Sequence, residues 1–104
     1  MEGLIAMITK TQNPTVFKVN EKDLDILSMP IFESELDLLL NSTANSVYLD
    51  FTEVEEISSA ILGSLLAKKM KLKKMGTEIH LLHLSNSLQR VLKILNLSEY
   101  FLPA

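Results

Sequence analysis

A chain of 104 residues has the length of one domain, read as 1–104 without a linker, and folding at this mass buries roughly 65% of the surface that the unfolded chain exposes. An apolar share of 47%, a charged share of 22% and a net charge of -3 are those of a soluble globular protein, and they argue against nucleic acid as the main partner, because phosphate binding needs surplus lysine and arginine. Cysteine is absent, which excludes disulfides, thiolate metal sites and cysteine nucleophiles.

The opening "MEGLIAMITK" carries an acid where a secretory signal needs basic residues, and its apolar run is short. No stretch approaches the ~20 apolar residues of a membrane-spanning helix. The expectation is a cytoplasmic protein without membrane insertion, in which the glycosylation triplets at Asn41 and Asn96 are chance. "LIAMIT" (4–9) and "TVFKV" (15–19) are β-rich runs separated by the Asn13-Pro14 turn signal, and predict a hairpin. "NEKDLDILSMP" reads as a loop entering a helix, with Ser28 as the cap. Phe32, Leu36, Leu39 and Leu40 then recur on one helical face, which Glu33, Glu35 and Asp37 avoid, until "NSTANS" ends the helix.

"VYLDF" (47–51) is a nearly continuous apolar run, expected as a strand covered on both faces. In the next helix Leu62, Leu65, Leu66, Met70 and Leu72 fall within about 160° of a helical wheel. Lys69 and Lys73 intrude on that face, so their stems should lie along it with the ammonium groups in water. Gly76 supplies the stop, and "EIHLLHL" (78–84) reads as a second central strand, parallel to "VYLDF". "NSLQRVLKIL" predicts a third helix capped by Asn86 with Gln89 three residues on, its stripe formed by Leu88, Val91, Leu92 and Leu95. "SEYF" makes a last turn. The order β-β-α-β-α-β-α demands parallel pairs with right-handed crossovers, giving an α/β fold with a small mixed four-stranded sheet and three main helices. Leu49, Phe51, Leu65, Leu81, Val91 and Leu92 are the expected core.

Chemistry-bearing residues are few. His80 and His83 stand three apart in an expected strand, so they point to opposite faces and cannot share a metal. The "KKMKLKK" run (68–74) lies at a helix C-terminus without interleaved aromatics, and reads as a solvated face. Three glycines, Gly3, Gly63 and Gly76, make no phosphate loop. Asp23, Asp25 and Asp50 are scattered, with no matching base or nucleophile. Neither an enzyme nor a cofactor is implied.

The informative stretch is "EEISSAILG" (55–63), where two serines stand between a strand's exit loop and a helix. Ser58 suits an N-cap, its hydroxyl accepting a backbone N–H of the first turn. A hydroxyl at the first helical position, Ser59, sits over unpaired N–H groups, where a phosphate is welcome. Nucleophilic catalysis would need a base within reach, and no histidine is local to the loop.

The run from "VYLDF" through "EEISSAILG", Gly76 and "SLQRVLKILNLSEYF" resembles the second half of a STAS domain, the module of bacterial anti-sigma-factor antagonists and of sulfate-transporter tails; "KDLD" (22–25) looks like the family's Gly-Glu-Leu-Asp segment. In the antagonists the loop reads Asp-Ser-(Ser or Thr)-Gly-Leu-Gly, and its first serine is phosphorylated by the anti-sigma factor, itself a serine kinase. Aligned on Leu62-Gly63, that serine is Ser59, with Ser58 as the alternative phosphoacceptor. Ser58 then stands in place of the acid, Ala60 in place of Ser or Thr, and Ile61 in place of Gly.

The resemblance implies a bacterial regulator of transcription that binds an anti-sigma factor or related kinase through Asp25, Ser58, Ser59, Ile61 and Leu62, with a serine phosphatase as a further partner. Phosphate beside Glu53, Glu55 and Glu56 would release the partner. The degenerate loop leaves a second reading open: a STAS scaffold in a transport or signalling assembly that works without phosphorylation.

Overall fold

The computed structural model describes residues 7–41 and 46–102. Strands β1 (Ile8–Lys10), β2 (Val16–Val19), β4 (Val47–Asp50) and β6 (Ile79–Leu82) form one sheet in the order β1-β2-β4-β6. β1 and β2 are the antiparallel hairpin, with Ile8 opposite Val19, while β2, β4 and β6 run parallel. The residues before Met7 in the expected first strand lie outside the described residues, as do residues 42–45 in the segment that follows the first helix. β3 (Asp23–Leu24) and β5 (Glu56–Ile57) make a separate two-residue parallel ladder. Helices α1 (Met29–Asn41), α2 (Ser59–Lys73), α3 (Asn86–Ile94) and the single turn α4 (Ser98–Phe101) complete the α/β fold.

Register explains the core. Phe17, Leu49 and Leu81 stand in one row across three strands, with Val47 and Ile79 in the next, and all are buried. Phe32 and Leu36 of α1, Leu65 of α2, Leu88 and Leu92 of α3 and Phe101 of α4 pack into the same cluster. The alternate row, Val16, Tyr48 and His80, is only half-buried. β4 is therefore buried chiefly on one face and not equally on both; its apolar look comes from Tyr48, which stacks on His80 with ring centroids 4.9 Å apart. Nor is β6 central. It is an edge strand beside β4, packed against α4. The opposite edge is protected at Ile8, whose N–H donates to the Glu35 carboxylate of α1 at 2.8 Å.

Three helical details differ from the sequence pattern. α2 is rotated by about 40° from the expected wheel: Ile61 is buried, Met70 is exposed, and Lys69 lies inside at 5% exposure with its ammonium donating to the Ile79 carbonyl at 2.7 Å. Lys73 stays exposed. In α3 Val91 is 37% exposed and Leu95 is exposed at the C-cap, so only Leu88 and Leu92, one turn apart, serve the core. Its cap is Ser85, whose hydroxyl accepts the Leu88 N–H at 3.2 Å, while Asn86 is already helical and Gln89 donates to the Leu84 carbonyl. Ser28 precedes α1, but its hydroxyl donates to Asp25 at 3.1 Å, so it serves the turn. Gly76 takes φ +82°, and beyond it the Thr77 N–H returns to the Leu72 carbonyl, closing α2 as expected.

Candidate functional site

The serine loop is held by its own small ladder. Leaving β4, the chain turns at Phe51, whose carbonyl accepts the Val54 N–H, and both side chains are buried. The N–H groups of Glu55 and Glu56 then donate to the Lys22 carbonyl at 2.8 and 3.2 Å, and that of Ser58 to the Leu24 carbonyl at 2.7 Å. Leu24 is fully buried beneath. The "KDLD" segment and the "EEISS" segment, more than thirty residues apart in the chain, are thus one structural unit.

The two serines divide the work. Ser58, with φ -73° and ψ 152°, is the N-cap of α2: its hydroxyl accepts the Ile61 N–H at 3.2 Å and its carbonyl accepts the Leu62 N–H at 3.1 Å. Ser59 is the first helical residue and is exposed, at the positive end of a 15-residue helix. Asp25 follows Leu24 on the neighbouring strand, so the ladder brings it beside Ser58. Its Oδ1 accepts the N–H groups of Leu27 and Ser28, each at 3.0 Å, which fixes the turn into α1.

Ile61 and Leu62 belong elsewhere. Both are buried, at 0% and 4% exposure, so their side chains are core and not contact surface. The side chain that replaces the family's glycine points inward, and places no bulk over Ser59. The acids are exposed and partly paired: Lys18 meets Glu53 at 2.6 Å, which raises the Lys18 pKa through that hydrogen bond and charge, and Lys22 approaches Glu55 at 3.9 Å. Sequence reasoning missed Ile26 and Leu27, next to Asp25 in the same turn and 60% and 83% exposed. The signal was present in "DIL", two large apolar residues inside a segment read as polar loop.

His80 lies on the half-open sheet face against Tyr48, while His83 follows β6 in a left-handed conformation, φ 58°. Among the described residues no group of His, Asp and Glu is placed to hold a metal ion, and no helix is long and apolar enough to cross a membrane.

The STAS domain family matches residues 6–103. The chain belongs to the STAS domain family. No curated protein matches this STAS domain. Among solved structures it is similar to the NMR structure of the protein TM1081, with a TM-score of 0.74 and 22% identity over 97% of this chain and 81% of that one. At that identity the likeness speaks for the fold.

Proposed function

We propose that this STAS domain is a cytoplasmic protein-binding regulator of the anti-sigma-factor antagonist kind, which engages an anti-sigma factor or related serine kinase around Ser59 and releases it once Ser59 carries phosphate. The observation that carries the reading is the separation of the two serines. Ser58 is committed to the cap, while the Ser59 hydroxyl is exposed on a helix terminus that suits a phosphate. Ile26 and Leu27 supply exposed apolar contacts beside a polar rim of Asp25, Glu55 and Glu56, an anatomy suited to a protein partner. Phosphate would add about -1.5 to -2 charges to that rim, and a partner surface complementary to the free form would be repelled.

A second reading, a scaffold that binds without phosphorylation, is favoured by Ser58 standing where the antagonists carry an acid: its hydroxyl is used on Ile61, and no carboxylate directly precedes Ser59. Incubation with ATP and an anti-sigma-factor serine kinase, followed by peptide mass spectrometry, separates the two. Phosphate on Ser59, lost in Ser59→Ala, is the expected result. Phosphate on Ser58 would shift the motif by one residue. No phosphate on either serine, with Ser59→Asp binding the partner as tightly as the native chain, establishes the scaffold instead.

A further inference from the structure

At the other end of α2, remote from Ser59, a groove of about 440 Å³ opens between the last turns of the helix, the β6 edge and α4. That is within the size range of small-molecule sites. Lys69 lines it from inside. This lysine is withdrawn from water, an expensive state for an ammonium, and its Nζ makes one short hydrogen bond, to the Ile79 carbonyl at 2.7 Å. Glu78 Oε1 stands farther off at 3.7 Å, and the Phe101 ring lies 5.8 Å below. An ammonium has three N–H donors, so this arrangement leaves capacity for an acceptor arriving from the groove.

The surroundings favour an anion. Lys73, one turn on from Lys69, and Lys74 also line the groove, and like charges at that spacing repel one another unless something negative lies between them. Burial first, with the charge of Lys73 adding to it and Glu78 opposing, lowers the Lys69 pKa. Three lysines against the two glutamates that line the groove, Glu78 and Glu99, leave one net positive charge. The rest of the wall is apolar: Met70 and Tyr100 are large, exposed and face no core. His80 closes the strand side, and its Nδ1 is buried without a hydrogen-bond partner.

We infer that the groove between α2, β6 and α4 is a binding site for a small organic monoanion with a flat apolar body, of the aromatic carboxylate class, its carboxylate between Lys69 and Lys73 and its ring against Tyr100 and Met70. One net charge selects a monoanion over a phosphate dianion, and the apolar wall selects against a bare inorganic ion. Interaction of this kind is independent of the serine loop.

The test is a titration of the full chain, labelled for amide NMR, with benzoate, benzyl alcohol and inorganic phosphate. Benzoate should shift amides within 69–74, 78–80 and 99–100 together with the His80 ring signals, and leave 55–60 unmoved. Lys73→Gln, an exposed change that keeps the fold, should weaken benzoate about fivefold. Lys69→Met, which keeps the stem, should weaken it about tenfold or more. Benzyl alcohol should bind at least about tenfold more weakly than benzoate. Shifts scattered over the surface, equal binding of benzyl alcohol, phosphate binding as tightly as benzoate, or no loss in Lys73→Gln would each overturn the assignment. Should Lys69→Met fail to fold, Lys73→Gln with the neutral probe decides it alone.

Discussion

The Ser58 N–H donates to the Leu24 carbonyl at 2.7 Å while the Ser58 hydroxyl accepts the Ile61 N–H at 3.2 Å, so one residue ties the loop to its neighbouring strand and starts the helix. Mutation touches only the second bond. Ser58→Ala should lower unfolding free energy by about 0.5–2 kcal/mol, and Ser58→Gly by only a few tenths of that scale's unit, since an open backbone lets water cap the helix. Urea unfolding gives both numbers. Slow hydrogen exchange at the Ser58 amide should persist in Ser58→Ala; its disappearance would show that the hydroxyl, and not the ladder, holds the loop.

Helix phase gives a contrast in magnitude. Leu65 is buried at the centre of the α2 face, so Leu65→Ala should cost about 2–5 kcal/mol. Val91, expected in the core from its spacing, is partly exposed, and Val91→Ala should cost under about 1 kcal/mol. Denaturant midpoints at constant m-value measure the pair. Equal losses would mean that α3 presents a different face from the one described.

The legible part of the fold was what repeats. The opening hairpin, the spacing of Phe32 and Leu36, the glycine stop and the serine cap of α2 are local signals, and all stand where residue pattern puts them. What stayed hidden depends on long-range contacts. The β3–β5 ladder has two residues per strand, too few for any periodicity, although it is what brings Asp25 to the serine loop. Lys69 lay near the middle of the apolar arc, yet a lysine there reads as a snorkelling side chain until Ile79 and Glu78 are seen to receive it. Leaving Ile61 out of the apolar stripe displaced the helix phase and drew Met70 inward. β6 looked central because an apolar strand is the same in sequence whether its second flank meets a strand or a helix.

His80 should make the fold sensitive to mild acid. Burial, with the Lys69 charge adding to it and Glu78 opposing, holds its imidazole below the ordinary 6.5. As pH falls through 6.5 the unfolded chain takes up this proton before the folded one, so stability drops, then levels off below the folded-state pKa. His80→Phe keeps a ring on Tyr48 and removes the titration. Between about pH 7.5 and pH 5.5, above the carboxylate range, its melting temperature should fall less than that of the native chain. Parallel curves would assign the acid response to other groups.

Ser59→Asp isolates charge from fold. A carboxylate at the first position of α2 meets the positive helix end, a gain of about 0.3–1 kcal/mol at low ionic strength. The exposed acids Glu55 and Glu56, in the loop that leads into the helix, oppose that gain. Net stability should therefore stay within about 0.5 kcal/mol of the native value. Partner binding should respond differently, because the new charge is desolvated at an interface and there meets a surface fitted to a neutral hydroxyl. The variant should bind the kinase more weakly, and the loss should shrink as salt rises and screens the repulsion. One carboxylate imitates only part of a phosphate's charge and oxygen count, so the phosphorylated chain should bind more weakly still. Calorimetric titration of the native, Ser59→Asp and phosphorylated chains at two salt concentrations orders the three. A Ser59→Asp loss that is unchanged by salt would point to a steric clash at Ser59, and the charge mechanism would have to be abandoned.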